Sequence, residues 1–265
     1  MLKTTLLLLL ISVTLITNAQ FTSSNLPEKV KHAEPLFMDL VRDLGARKGE
    51  KEINVGADFS NTNDVTEYAF LVEYEFAPVH RLGLEVEADF SFYKSTKKGI
   101  PTPENRLEVL RFSSQYSFYV STLHSTTMAL GYTQLIGLTA FNSYGQKNIV
   151  ETVAYNPFFV VAKRWGNHLY SLLYACPVIE HNILNHKTNT IWQLNISFHY
   201  VIPHTGHFIG LEINKEIDRG NFHITLRPQA KVKLNKALAL GIVTGFPIHN
   251  IEEKFSSFFR VIWEL

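Results

Sequence analysis

Alternating apolar and polar residues constrain the fold of this chain more than any other feature of its sequence. In "FHITLRPQAKVKL", residues 222–234, apolar side chains recur at every second position around Leu226 and Val232. A period of two indicates a β-strand whose two faces meet different surroundings. About twelve such runs follow one another from residue 53 onward, and we find no helical periodicity among them. We place them at 53–60, 66–76, 82–93, 106–120, 126–141, 153–164, 168–180, 190–202, 207–217, 221–234, 237–247 and 254–265.

The charge on the polar faces indicates which face is enclosed. Glu85, Glu87 and Asp89 alternate with apolar residues such as Val86. A soluble β-protein would bury the apolar face, whereas a membrane barrel turns it toward lipid and encloses the polar face with water. A Lys or Arg facing lipid at the midplane costs roughly 2–4 kcal/mol, and open sheet edges cannot lie in hydrocarbon. We therefore predict an all-β fold, a closed antiparallel transmembrane β-barrel of about 12 strands with a short N-terminal helix; a soluble periplasmic β-protein is the alternative.

The connections between runs predict an orientation. Connections after even-numbered runs are short, whereas 94–105, 142–152 and 181–189, which follow odd-numbered runs, are long; 61–65 and 218–220 are short exceptions after odd-numbered runs. Outer-membrane barrels have tight periplasmic turns and longer external loops. An even number of strands would then place the N- and C-termini on the periplasmic side of the outer membrane of a Gram-negative bacterium.

The N-terminal residues differ from the strand region. Lys3 precedes an apolar stretch, and the small residues Thr17 and Ala19 suit cleavage before residue 20. Farther on, Pro35 suits the first position of a short amphipathic helix and Gly45 suits its end. We expect a signal peptide at 1–19, a periplasmic or luminal segment with a short helix at 20–52, and the barrel at 53–265.

Three stretches also resemble a known family. "HAEPLFMDLVRDLGARKGEKEINVG" (32–56), "NPFFVVAKRWGN" (156–167) and "KFSSFFRVIWEL" (254–265) are similar to sequences of an outer-membrane β-barrel family of Bacteroidetes-type bacteria. The resemblance covers nearly the whole chain after the signal peptide. It implies a barrel in the outer membrane, and it implies no catalytic residues. The last stretch also resembles the closing strand of outer-membrane barrels, which implies contact with the barrel-assembly machinery, although Leu265 stands where Phe is usual.

Charged residues on the predicted inner face form two groups. An acidic group lies on the second and third runs, and most of a basic group lies on the late runs. Opposed charges across a narrow water path would orient polar solutes and set ion preference. Alternatively, the groups pair inside a blocked barrel: if residues 219–220 form a two-residue turn, Glu212 faces Arg227 across the hairpin. The acidic group is Glu67, Glu73, Glu75, Glu85, Glu87 and Asp89; the basic group is Arg111, Arg227, Lys231, Lys233 and Arg260.

The acidic group requires positive charge nearby, because like charges directly opposite one another destabilise a strand pair. The cations of the N-terminal segment would supply it if that segment folds into the lumen as a plug. The alternatives are a periplasmic helix that caps the lower rim or binds a partner, and bound Ca²⁺. The candidate plug residues are Arg42, Arg47, Lys48 and Lys51.

The remaining features point to few chemical functions. A net charge of +1 gives no attraction to nucleic acid, and Cys176 is the single cysteine. His124 and Ser125 are adjacent, but the predicted orientation places them on the periplasmic side, away from lipids of the cell surface. We predict no enzyme, metal or cofactor. The leading interpretation is a passive, porin-like channel or structural barrel whose charged lumen admits small polar solutes. A non-conducting envelope-assembly partner that docks through its N-terminal helix is the second, and an outer-membrane lipid hydrolase the third.

Overall fold

The computed structural model of the chain describes residues 26–38, 40–61, 64–97, 99, 101–146, 148–248 and 255–265, and the predicted signal peptide lies outside them. Among the described residues, twelve antiparallel strands form a closed ring in which each strand pairs with its sequence neighbours and β1 pairs with β12. The predicted barrel is confirmed. The strands are β1 Lys51–Asn61, β2 Val65–Val79, β3 Leu82–Ser95, β4 Arg106–Ser121, β5 Thr126–Leu138, β6 Val150–Trp165, β7 Leu169–Asn182, β8 Lys187–Val201, β9 Phe208–Asp218, β10 Asn221–Lys233, β11 Leu238–Pro247 and β12 Phe255–Glu264.

The register follows the predicted hairpins closely. Arg219 and Gly220 both have positive φ, which is the geometry of a two-residue hairpin turn, and this turn sets Arg227 opposite Glu212. The fifth strand ends at Leu138, three residues before the end of its predicted run, and a short 3-10 helix, Phe141–Ser143, begins at the last residue of that run. No helix among the described residues is long and apolar enough to cross a membrane.

The two faces of the ring differ sharply in polarity. On β3, Glu85 and Glu87 are buried, whereas Val86 between them is 46% exposed. The same pattern recurs around the ring, with large apolar side chains such as Val72, Leu130 and Ile209 on the outside. The apolar face is therefore the outer face, as the charge pattern predicts.

The described residues of 26–50, which we call the inner segment, run across the interior of the ring. Leu36 and Leu44 are each only 1% exposed. Burying one such side chain stabilises the packed state by about 1.5–3 kcal/mol. Two apolar clusters join the inner segment to the inward faces of the strands, one around Leu44, Phe158 and Leu172, the other around Leu36, Phe208 and Phe258. The hydrophobic core of the molecule thus lies inside the barrel.

The helix predicted over this segment is wrong for its described residues, which form bends and turns and no α-helix. The backbone N–H of Met38, which would donate to the Glu34 carbonyl in a helix that begins at Pro35, donates to Glu212 of the barrel wall instead. Arg42 has φ of 59°, a left-handed conformation that an α-helix excludes. Tertiary hydrogen bonds have thus overridden the amphipathic pattern.

Candidate functional site

Acidic side chains form two cross-strand rows on the inner wall. Glu73 of β2 lies opposite Glu87 of β3, and Glu75 lies opposite Glu85. Glu73, Glu75 and Glu85 bring carboxylate oxygens within 4.8 Å of one another, and all three are buried. Such a cluster would repel itself unless cations or donors compensate it.

Three arginines from different parts of the chain converge on this acidic wall. Arg111 Nε of β4 lies 3.1 Å from Glu87 Oε1, and its Nη2 lies 2.8 Å from Asp89 Oδ2. Arg260 Nη2 of β12 lies 3.1 Å from Glu73 Oε2. Arg260 reaches across β1, where its cross-strand partner is Gly56. A Cβ at Gly56 would lie 2.7 Å from the Phe258 ring, so this close packing requires glycine.

The third arginine, Arg42, belongs to the inner segment. Its Nη1 lies 2.7 Å from Glu52 Oε2 and 3.7 Å from Glu75 Oε2, and the residue is only 3% exposed. Burial opposes the charge of Arg42, but its carboxylate neighbours outweigh burial and raise its pKa above the ordinary value. Neutral donors complete the compensation, since Asn54 Nδ2 donates to both Glu73 and Glu75. These groups supply the charge and donors that a bound cation would otherwise supply.

The predicted basic group is divided between two places. Arg227 and Arg260 lie in the half of the barrel nearer the long connections, whereas Lys231 and Lys233 line a cavity near the short turns. Arg227 does not face the lumen alone: its guanidinium carbon lies 3.4 Å from the centre of the Phe37 ring, and its Nη1 donates to Ser256 Oγ at 3.0 Å. Glu67 lies near the N-terminal end of β2, away from the other acidic residues of that strand, and its Oε2 accepts a hydrogen bond from Ser60 Oγ at 3.4 Å.

Glu212 is the main polar anchor of the inner segment. It is fully buried on β9, and its two carboxylate oxygens accept hydrogen bonds from the N–H groups of Phe37 and Met38 at 3.0 and 3.1 Å. Gln229 Nε2 also donates to Glu212 at 2.9 Å, while Gln229 Oε1 accepts from the N–H of Leu36 at 2.8 Å. Two barrel side chains thus satisfy three consecutive backbone donors of the segment, which would otherwise be buried without partners.

A second set of anchors lies on the opposite wall. Ser117 Oγ of β4 accepts from the N–H of Gly45 at 2.8 Å, and Gln115 Nε2 donates to the carbonyls of Val41 and Arg42. The backbone of the segment runs directly against Gly83 of β3. A Cβ at this glycine would lie 2.2 Å from the Val41 carbonyl oxygen, so a side chain at Gly83 and the segment exclude each other.

Charges within the segment hold its own turn together. Lys29 Nζ lies 2.9 Å from Asp43 Oδ2 and 2.8 Å from Glu50 Oε2. Burial opposes ionisation of Asp43, but Arg42 and Lys29 outweigh burial and hold its pKa below the ordinary value. Burial, reinforced by the charge of Asp43, raises the pKa of Glu34 well above its ordinary value.

The inner segment separates two cavities. One, of about 560 Å³, lies on the side of the long connections and is lined by Phe37, Met38 and Val41 together with residues from many strands; we call it the loop-side cavity. The other, of about 550 Å³, lies on the side of the short turns and is lined by residues 29–34 of the segment and by Lys231, Lys233 and Lys236.

A sequence profile of the HAEPLYID-like family matches residues 28–264, which include the described part of the inner segment from Glu28 and all twelve strands. The chain belongs to the HAEPLYID-like family. No curated protein is similar enough in sequence to add to this comparison.

Solved structures share the fold of this HAEPLYID-like barrel at low sequence identity. An outer membrane channel from Pseudomonas putida F1 has 13% identity and a TM-score of 0.65, over 86% of this chain and 99% of the channel. The KdgM porin has 13% identity and a TM-score of 0.56, over 81% of this chain and 99% of the porin. The NanC porin has 7% identity and a TM-score of 0.56, over 80% and 100% of the two chains. At these identities the likeness concerns the fold.

The other cations predicted for the plug lie at the rim of the HAEPLYID-like barrel. Arg47 Nη2 lies 3.5 Å from the Pro27 carbonyl oxygen, and the exposed Lys48 donates its backbone N–H to His80 Nδ1. Lys51 is the exposed first residue of β1. Of the four candidates, Arg42 is the one that the structure places against the acidic wall.

His124 and Ser125 lie in the β4–β5 turn, where Ser125 Oγ is 3.4 Å from Arg164 Nη2.

The sequence did not indicate the residues that anchor the inner segment, which are Glu212, Gln229, Gln115 and Ser117. It predicted only that Glu212 lies opposite Arg227. One signal was available: each is a polar residue at an inward position of its strand. Inward apolar residues such as Phe158 and Leu172 were a second signal, since a water-filled lumen does not require them. Together they indicate that something other than water packs against the wall.

His32 gives the inner segment a predicted dependence on pH. Its Nε2 lies 2.9 Å from Thr127 Oγ1, and burial together with the charge of Arg164 lowers the pKa of His32 to about 4. A released segment regains the ordinary pKa of about 6.5. Between these values the released form binds a proton that the bound form does not, so the stabilisation present above about pH 6.5 is lost as the pH falls toward about 4.

Hydrogen exchange of residues 33–44 at about pH 7 and about pH 5 measures this effect as a change in protection factor. The raised pKa of Glu34 acts in the opposite direction, because the bound form then takes up the proton. The comparison is therefore with a His32→Gln variant, which retains Glu34. We expect protection to fall more steeply on acidification in the wild type than in this variant; equal pH dependence would show that His32 does not contribute.

Proposed function

We propose that this chain is an outer-membrane barrel of porin-like architecture whose lumen is closed by its own inner segment. The exterior supports the membrane location. Large apolar side chains are exposed around the ring, including Phe70, Val72 and Val86, each at least 44% exposed. Soluble monomers rarely expose a continuous apolar surface of this extent, whereas lipid covers it at no cost. The porin and channel folds of the structural relatives agree with this location.

The observation that carries the closed state is the attachment of the inner segment to opposite walls. Glu212 and Gln229 hold residues 36–38 on one side, and Gln115 and Ser117 hold residues 41–45 on the other. Arg42 adds an ion pair with Glu52. A loosely inserted tail would not satisfy its backbone donors on the wall in this way. Closure is thus part of the folded state, and opening requires the segment to leave.

Planar-bilayer recording tests this proposal. The chain without its predicted signal peptide should show little conductance. Deletion of residues 26–47 should raise single-channel conductance by at least about tenfold, because the lumen of a twelve-strand barrel then holds water. A Gly83→Val variant should open the lumen without a deletion. The valine side chain would clash with the Val41 carbonyl and displace the inner segment, and valine is well suited to a β-strand. Ala69→Val, which places the same β-branched side chain at another residue that lines the loop-side cavity, is the matched control.

Each outcome discriminates. High conductance of the full chain would show that the segment does not close the lumen. A folded deletion variant that still fails to conduct would favour the second candidate, a non-conducting barrel that presents its N-terminal residues to an envelope partner. That candidate is favoured by the obstructed lumen and by Leu26, which is 64% exposed where the segment begins in the described structure.

A further inference from the structure

The loop-side cavity has a wall of neutral polar side chains, one of which, Asn214, also donates to the anchor Glu212. Tyr174 of β7, Asn195 of β8, Asn214 of β9 and Thr225 of β10 are consecutive cross-strand partners, and all four line the cavity. They form one continuous row of hydroxyl and amide groups across four strands. The row faces the acidic wall from the other side of the cavity.

Several amide oxygens around this wall are buried and have no hydrogen-bond partner. They are Oδ1 of Asn156, Asn195 and Asn214. Asn195 and Asn214 are only 7% and 9% exposed, and all three residues line the loop-side cavity. A buried acceptor without a donor costs roughly 1–3 kcal/mol, which a ligand donor would recover once the amide group turns its oxygen toward the cavity. The arrangement points to a donor-rich ligand.

The charges of the cavity exclude one class of ligand. Six carboxylates line it, against three guanidinium groups, so the cavity as a whole disfavours an anion. The carboxylates are Asp58, Glu85, Glu87, Asp89, Glu108 and Glu216; the guanidinium groups are Arg111, Arg227 and Arg260. A ligand without negative charge is therefore favoured.

Aromatic rings next to the amide row add an apolar surface. Phe158 and Tyr174 stack with ring centres 5.2 Å apart and planes at 26°, and both line the cavity. With only 5% and 7% of Phe158 and Tyr174 exposed, these rings offer a small apolar contact to C–H groups of a ligand. The hydroxyl groups of a sugar, which both donate and accept hydrogen bonds, would make most of the contacts. The volume of about 560 Å³ lies within the roughly 300–1,000 Å³ of small-molecule sites.

From these observations we infer that the loop-side cavity binds a monosaccharide-sized, hydroxyl-rich molecule that carries no negative charge, with Asn195 and Asn214 as the recognition residues. The inference rests on the proposed function in one respect: the inner segment forms one side of the cavity. Binding itself requires no conduction, so the two proposals fail separately.

Isothermal titration calorimetry of the detergent-solubilised chain, with its inner segment intact, tests the inference. The probes are glucose, galactose, glucosamine and glucuronate. We expect at least one of the first three to bind with a Kd on the order of 1 mM or tighter, and glucuronate to bind at least about tenfold more weakly. Absence of binding by all of the first three, or tighter binding of glucuronate, would overturn the inference.

Variants locate the site. Replacing Asn195 with Leu should weaken binding at least about tenfold, since the new side chain offers no hydrogen bonds. Asn214 is left unchanged in this test, because its Nδ2 donates to the anchor Glu212. The variant Thr225→Val, which removes one hydroxyl from the same row, serves if the Asn195 variant fails to fold, and it should weaken binding by severalfold. Asn148→Leu, the same change at an exposed loop residue, is the matched control. If the row variants bind the sugar as tightly as the Asn148→Leu control does, the ligand binds elsewhere.

Discussion

Replacing Glu212 with alanine is expected to release the inner segment from β9 and raise hydrogen exchange at Phe37 and Met38 by roughly 30-fold or more. The change leaves the N–H groups of both residues buried without an acceptor. Each such loss costs about 1–3 kcal/mol, and 2 kcal/mol corresponds to a factor of roughly 30 in an opening equilibrium. Gln229 also loses the acceptor of its amide, which adds to the effect.

Glu216→Ala is the matched control for this change. Glu216 lies four residues further along β9 and also lines the loop-side cavity, but it is exposed and accepts a hydrogen bond from Gln193 of β8 rather than from the segment. Its replacement should leave exchange at residues 36–38 unchanged. If the amides of residues 36–38 are equally protected from exchange in the Glu212→Ala and Glu216→Ala variants, Glu212 is not the anchor that the structure indicates.

Replacing Arg42 with methionine is expected to lower the free energy of unfolding by about 3–5 kcal/mol, the usual result of removing one partner from a buried ion pair. Methionine preserves much of the length of the side chain but leaves Glu52 and Glu75 without the guanidinium. Arg42→Lys should recover only part of the loss, because an ammonium group cannot reproduce the planar, several-donor geometry of arginine. Denaturant unfolding in detergent micelles measures both.

Two further variants interpret the result. Arg47→Met removes a cation of the same segment at the rim and should cost less than about 1 kcal/mol. Glu52→Gln in the Arg42→Met background should restore part of the stability, because one uncompensated carboxylate is removed; the double-mutant cycle isolates the coupling. An Arg42→Met variant as stable as Arg47→Met would mean that the acidic wall is compensated without the segment.

The barrel could be predicted because alternation over a strand is a local signal that tertiary contacts reinforce. The runs placed at 82–93 and 221–234 correspond to β3 Leu82–Ser95 and β10 Asn221–Lys233, and the charges on their polar faces fix which side is enclosed. The two-residue turn at 219–220 fixes the register of Glu212 and Arg227 for the same local reason.

The conformation of the inner segment could not be predicted in the same way. Leu36, Leu40 and Leu44 are spaced as on a helix, yet the segment is shaped by acceptors and ring faces from strands about 70–190 residues away in sequence. The position of Arg42 depends on this tertiary arrangement, which explains why four cations were equal candidates from sequence. The neutral row from Tyr174 to Thr225 likewise becomes visible only when the register of four strands is known.

The way the inner segment continues into β1 also has a consequence for the kinetics of folding. The bond between the Leu36 N–H and Gln229 Oε1 joins residues 193 positions apart, and the ring closes only when β12 pairs with β1. Contacts of such long range form slowly, because the entropy of loop closure is lost before they stabilise the chain. Since the segment leads directly into one of the two closing strands, the late strands can assemble around it, and it can serve as an internal template during biogenesis.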